Sequence, residues 1–261
     1  MIYVDTHTHL YLNAFDNDRH EAVKRAIQKG VHYMLLPNID SESVAPMHRL
    51  CEDFPEHCFP MMGLHPTSVK QNWEEELALA EKNLRKGGYC AVGEVGLDFY
   101  WDMTFRKEQE TVFRKQIEFA IELQLPLVIH SRKSMDEITM IIKEMYAPGL
   151  TGIFHCFSGS PEQASRIVEM GFKLGIGGVV TFPNSKLAST IHEIGIDHLV
   201  METDAPFISP VPYRGKRNES AYIPIIAAHV AEACGITLID AALITSKNAL
   251  QVFNSLPELK N

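Results

Sequence analysis

The sequence holds few cysteines, and no two are spaced for a shared task. Cys51, Cys58, Cys90, Cys156 and Cys234 are odd in number and scattered, with no C-x-x-C pair, so neither a disulfide framework nor a thiolate zinc site is indicated. The pattern fits a reducing cytoplasm. Positive charge is also in short supply: 24 Lys and Arg stand against 33 Asp and Glu, a formal net charge of -9. That balance excludes a surface that coats duplex nucleic acid through its own field, while leaving room for a local basic cluster. The first residues lack a basic segment followed by a long apolar one, and no apolar run approaches the roughly 18 residues of a membrane span. Neither an export signal nor membrane association is expected. Linkers rich in Pro, Gly or Ser, charge blocks and low-complexity stretches are missing too. Residues 1–261 are therefore expected to form one domain, and no feature calls for an obligate protein partner.

What is present is an alternation. Short apolar, β-rich runs near residues 2–7, 31–37, 58–64, 90–95, 126–130, 151–156, 172–177 and 198–203 are separated by stretches whose apolar residues recur at three and four. One such stretch, Phe105 to Leu123, carries Phe113, Ile117, Ala120 and Ile121 as a single expected stripe. Gly30, Gly171 and Gly195 stand where helices should stop. Eight unbroken strand-then-helix units predict an α/β fold, a single (β/α)8 TIM barrel.

Reactive groups in such a barrel belong at the C-terminal ends of the strands. The opening MIYVDTHTHL places His7 and His9 two residues apart, on one strand face together with Asp5 if the strand runs that far. His65 follows the third expected strand, Glu94 ends the fourth, His130 the fifth and His155 the sixth, and Glu202 and Asp204 close the eighth. Five of the 12 histidines thus collect at one rim, while His20, His32, His48, His57, His192, His198 and His229 read as surface or structural. Imidazoles with carboxylates and no thiolate suit zinc, manganese, iron or magnesium. Two histidines, a glutamate and an aspartate can hold one ion, and His130 with His155 can hold a second with Glu94 bridging. Two ions about 3.5–4 Å apart suit in-line displacement at phosphorus. Cys156, next to His155, should point to the opposite face and serve packing.

The motifs DTHTHL, GLHP (63–66), GEVGLDFY (93–100), VIHSR (128–132), HCFSG (155–159), ETDAP (202–206) and RGKRNES (214–220) run in order along nearly the whole chain. Together they resemble the TatD family of metal-dependent deoxyribonucleases. The resemblance implies a TIM barrel and metal-dependent phosphodiester hydrolysis, with 3′–5′ exonuclease action on single-stranded DNA ends by metal-activated water attack. It implies that His7, His9, Glu94, His130, His155 and Asp204 ligate two divalent ions (Mg, Mn or Zn). One departure is visible: the family reads RGKRNEP where this chain has Ser220, which is expected to loosen the start of the following helix.

Chemical roles follow. Asp204 is the expected base for the attacking water, with Glu94 bridging. Glu202 is expected to steer a histidine or contact substrate, and His65 to donate to a phosphate oxygen. Arg132 can present its fork to a phosphate, and Arg214, Lys216 and Arg217 form a basic loop after the eighth strand, where barrels often bind phosphate. Phe99, Tyr100 and Trp101 form an expected aromatic shelf that stacks on a base or caps the core. The alternative is an amidohydrolase-type barrel acting on an amide, lactone or other small ester. Such enzymes often bridge their metals with a modified lysine near the end of the fourth strand, where Glu94 stands here.

Overall fold

Runs of Val, Ile, Leu and Tyr between helix-ending glycines become eight parallel strands: β1 (Tyr3–Asp5), β2 (Val31–Pro37), β3 (Cys58–Met61), β4 (Val92–Asp98), β5 (Leu127–Arg132), β6 (Gly152–Phe154), β7 (Phe172–Ile176) and β8 (Leu199–Met201). Between and after them lie α1 (Arg19–Gln28), α2 (Ser41–Asp53), α3 (Trp73–Leu84), α4 (Arg106–Leu123), α5 (Met135–Glu144), α6 (Pro161–Glu169), α7 (Leu187–Ile194), α8 (Ile223–Cys234) and α9 (Leu238–Val252). The computed structural model describes residues 1–259. All eight strands lie where the alternation predicts, and Gly30, Gly171 and Gly195 take positive φ at the ends of α1, α6 and α7.

The order is that of a (β/α)8 barrel. Strands β1 to β3 form one ladder and β4 to β8 another. The two meet through single parallel bridges, Met62 with Val92 and Thr8 with Ala205, so the hydrogen-bonded ladder is not continuous around the cylinder. Val4, Leu35, Met61, Val128, Ile153 and Val200 pack together as the lumen, and Val252, Phe253 and Leu256 at the end of α9 join them and close its lower end. A larger apolar layer lies between strands and helices, as sheet and helix faces must each bury their apolar side. Among the described residues no single helix is long and apolar enough to cross a membrane.

Helix α4 departs from its expected stripe. Phe113, Ile117 and Ala120 are buried, but Ile121 is 36% exposed, because the buried face turns toward Gln109 and Gln116 instead. These glutamines satisfy rim backbone. Gln116 accepts from Leu64 N–H at 2.7 Å and donates to Leu64 C=O at 3.1 Å, and Gln109 accepts from Asp98 N–H at 2.9 Å. Buried polar side chains are tolerated when paired in this way, and here they fix the loops that carry the rim.

Candidate metal centre

The opening HxH reaches the rim through a slip in register. Asp5 lies opposite Met34, so a regular parallel ladder would next bring His7 N–H to the Leu35 carbonyl. Thr8 N–H makes that bond instead, at 3.1 Å, one residue late. The extra residue turns the chain over, as a β-bulge does, so that lumen-packed Val4 is followed by inward-facing His7 and His9. On the other side, Thr6 N–H and His9 N–H donate to Met201 and Ala205, and Asp204 N–H donates to the His7 carbonyl. The expectation that Asp5 shares their face is corrected: its carboxylate accepts from the N–H and hydroxyl of Thr203. Burial lifts that carboxyl to about 7 against those bonds.

A second slip aims Glu94. Gly93 pairs with Val128 and Val95 with Ile129, leaving Glu94 as the unpaired residue, its N–H given to the Asn38 carbonyl of the β2 end. Its carboxylate then stands at the centre of the rim. Oε2 lies 3.2 Å from His7 Nε2 and 3.6 Å from His9 Nε2. Oε1 lies 2.9 Å from His155 Nε2, 3.0 Å from His130 Nδ1 and 3.3 Å from His65 Nε2. Burial alone would raise this carboxyl, but the facing imidazoles of His155, His65 and His7 outweigh it and hold Glu94 well below the usual carboxylate range. Asp204 Oδ1 completes the first side, 3.5 Å from His9 Nε2 and 3.7 Å from His7 Nε2. It too is held low, burial being overcome by its bond with His9 and the charge of His155.

The donor chemistry fits cations. Three sets, His7–His9–Glu94, His7–His155–Asp204 and His65–Glu94–His130, each bring their donor atoms within 4.8 Å of one another. Tyr11 gives its hydroxyl proton to the Pro37 carbonyl and so accepts from His9 Nδ1, 2.9 Å away. In the neutral ring this leaves Nε2 as a lone pair facing two carboxylates and His7 Nε2 at 3.2 Å. Such a crowd of acceptors is poorly served by hydrogen bonds alone, and buried Nδ1 atoms of His7 and His155 have no hydrogen-bond partner. Burial alone would lower His155 and His130, but the Glu94 charge beside the first and the bonds to Asp98 and Glu94 at the second raise both above the usual imidazole value. His7 is lowered by burial and by His155, against whose ring it stacks at 3.9 Å.

His9, Glu94, His130, His155 and Asp204 line a cavity of about 750 Å³ together with His65, Asp98, Trp101, Arg132, Cys156 and Phe207, and His7 is fully buried behind them. A side cavity of about 340 Å³ between the loops after β5 and β6 shares Ser131, His155, Cys156 and Ser158. Several expectations are corrected. Arg217 does not reach the cavity: its guanidinium makes bonds of 2.6 and 2.8 Å to Asp18 and lies over Phe15. Arg214 lies over the Phe182 ring, outside the cavity lining. Glu202 is fully buried and is not among the residues lining the cavity; it accepts from Cys156 N–H at 2.5 Å and lies 3.5 Å from His155 Nδ1 without a hydrogen bond between them. Cys156 faces the cavity because β6 ends at Phe154, two residues before it, and the strand alternation does not carry that far. Ser220 loosens nothing: it is fully buried, starts the turn Ser220–Tyr222 that leads into α8, and bonds to the Thr8 hydroxyl at 3.2 Å.

A family profile described as TatD related DNase matches residues 4–254. The chain belongs to the TatD family. It is a metal-dependent hydrolase. YabD of Bacillus subtilis (strain 168), named an uncharacterized metal-dependent hydrolase, is 37% identical over 250 residues, covering 95% of this chain and 98% of YabD. TatD of Pectobacterium parmentieri (strain WPP163), named a 3′-5′ ssDNA/RNA exonuclease, is 29% identical over 256 residues, covering 95% of this chain and 98% of that one. The crystal structure of YjjV, a TatD homologue from Escherichia coli K12, matches with a TM-score of 0.91 at 29% identity, covering 97% of this chain and 98% of YjjV.

Two residues of this TatD-family hydrolase escaped the sequence reading. Tyr11 orients His9, and Asp98 Oδ2 lies 2.9 Å from His130 Nε2, fixing which nitrogen of that ring faces Glu94. The signal for Asp98 was available, since it stands four residues after Glu94 on the same strand and face. Replacing a carboxylate that orients a metal-facing histidine typically weakens metal affinity or activity by about 10–100-fold. Asp98→Asn is expected to do so, as read by calorimetric titration with Mn2+. Unchanged affinity would reduce Asp98 to a cap for the loop that follows it.

Proposed function

We propose that this hydrolase is a two-metal phosphodiesterase that trims single-stranded DNA from its 3′ end, working in the cytoplasm. The observation that carries the reading is the division of Glu94: Oε2 faces His7 and His9, and Oε1 faces His130 and His155. His7, His9, Glu94 and Asp204 would hold one divalent ion, and Glu94, His130 and His155 a second. When bound, the ions supply a water of lowered pKa and neutralise charge on the phosphate.

The chain's own residues supply the rest. Asp204, 13% exposed against 3% for Glu94, is the cluster carboxylate that reaches the cavity mouth, and it accepts the proton of the attacking water. His65, held through Nδ1 by Thr67 at 2.7 Å, presents Nε2 to the second group of donors and to a phosphate oxygen there. Arg132 lines the same cavity. The TatD exonuclease of Pectobacterium parmentieri supports a nucleic-acid substrate. No lysine is among the described residues lining the cavity, which supports Glu94 as the bridge and weakens the amide or lactone alternative.

The test is hydrolysis of a 5′-labelled single-stranded oligonucleotide beside a panel of lactones, esters and dipeptides, with Mg2+, Mn2+ and Zn2+ in turn. Stepwise loss from the 3′ end is expected, and turnover of the small esters alone would overturn the reading. Chelation should abolish activity. Metal at 100 times its Kd should stabilise the fold by about 2.7 kcal/mol, a rise of roughly 5 °C or more in melting temperature. A melting temperature indifferent to metal would mean that the donors do not bind it.

A further inference from the structure

The loop after β4 leaves two large aromatic side chains in water, Trp101 at 68% and Tyr100 at 46% exposure. Neither is a loose end. Asp98 Oδ1 accepts from Tyr100 N–H at 2.9 Å and Trp101 N–H at 3.1 Å, while its other oxygen orients His130. One carboxylate therefore fixes both the aromatic loop and a histidine of the rim. Arg132, at the end of β5, lays its guanidinium 4.2 Å from the Tyr100 ring centre and 5.3 Å from that of Trp101, and Lys133 places its ammonium 5.0 Å above Tyr100. Among the described residues Arg132 forms no ion pair, whereas most arginines of this acidic chain do, so its donors are free for an anion. Trp101, Arg132 and Phe207, the last 50% exposed, all line the cavity that holds Glu94 and Asp204.

Tyr100 is covered by cations, and Trp101 offers the larger open π-face. A planar guanidinium held on an aromatic ring keeps its orientation while its edge still binds phosphate. An exposed indole a few ångströms away provides a face on which an unpaired base stacks. We propose that Trp101 is the stacking platform for the terminal base of a single strand, with Arg132, braced on Tyr100, gripping the phosphate of that same nucleotide and Phe207 forming the facing wall. The proposal deepens the phosphodiesterase reading and rests on it. It ascribes recognition of strand ends to the pairing of a phosphate grip with a base platform, and it leaves a protein surface as the rival occupant of the aromatic patch.

The experiment uses two oligonucleotides of one sequence, one carrying 2-aminopurine at its 3′ end and one abasic there, with wild type, Trp101→Ala and Trp101→Phe. For the intact strand Trp101→Ala should lose about 10-fold in kcat/KM and Trp101→Phe much less, in line with the value of one base–aromatic stack. On the abasic strand the loss should be several-fold smaller. The 2-aminopurine fluorescence should be quenched on mixing with wild type, read by stopped flow before turnover, and not with Trp101→Ala. Equal losses on the two strands, or no quenching, would overturn the platform and leave the patch to a protein. If wild type cleaves neither strand the phosphodiesterase reading fails, and the quenching signal still decides whether Trp101 stacks a base.

Discussion

Glu94→Gln will leave a folded protein with turnover reduced on the order of 10⁴-fold or more, since one change removes the charge that both ions of the proposed two-metal site would share. The amide keeps the volume and one acceptor oxygen but turns an N–H donor toward one of the two groups of imidazoles. Those groups approach the native carboxylate at 3.2 Å on one side and 2.9 Å on the other. On the two-ion reading proposed above, metal content measured on the purified protein should fall from two ions per chain to one or none. Asp204→Asn is the informative contrast, since the Asp204 carboxylate approaches His7 and His9 and groups with His155 but is absent from the His65–Glu94–His130 set, so its replacement should cost less metal than loss of Glu94. A Glu94→Gln enzyme with more than a tenth of native activity, or with both ions, would refute the bridging role.

The other large effect is structural. Gly96 sits on β4 between Glu94 and Asp98 with φ +138°, and a Cβ there would lie 2.1 Å from the His130 carbonyl oxygen. Backbone cannot yield as a side chain can, so Gly96→Ala must push β5 away from β4 or unfold the pair. A loss of roughly 4 kcal/mol or more is expected, the range of strained and overpacked sites, measured by denaturant unfolding. Gly88→Ala is the control: it also has positive φ, at +88°, but a Cβ there meets nothing within 4 Å. Its cost should be only the left-handed backbone term of about 1–2 kcal/mol. Equal losses at the two positions would mean that the close approach of β4 and β5 does not limit stability.

Strand positions and the gathering of His7, His9, Glu94, His130, His155 and Asp204 at one rim were legible because period-two alternation and chain order carry through a parallel barrel. What escaped reading depends on register or on distant partners. The slips between Asp5 and His7 and at Glu94 each reverse the facing of the residues beyond them, and no residue type announces a slip. This is why Asp5 was grouped with His7 and His9 yet points to Thr203. Arg217 looked free because Asp18, its partner, lies 199 residues away. Glu202 resembled a substrate contact by its spacing from Asp204, but β8 ends at Met201 and the side chain lies beneath Gly175, where a Cβ would come within 2.2 Å of its carboxylate. Asp98 was legible by parity and was missed because its neighbours Phe99 and Tyr100 read as a loop.

The plug formed by Val252, Phe253 and Leu256 has a consequence for any polymer worked on at the opposite rim. The barrel is a blind well, so a strand cannot thread through it as through a ring. Whatever product is formed must leave by the door through which the substrate entered. On the end-trimming reading proposed above, entry and exit therefore compete for one opening, and release of the product is a step that can limit turnover.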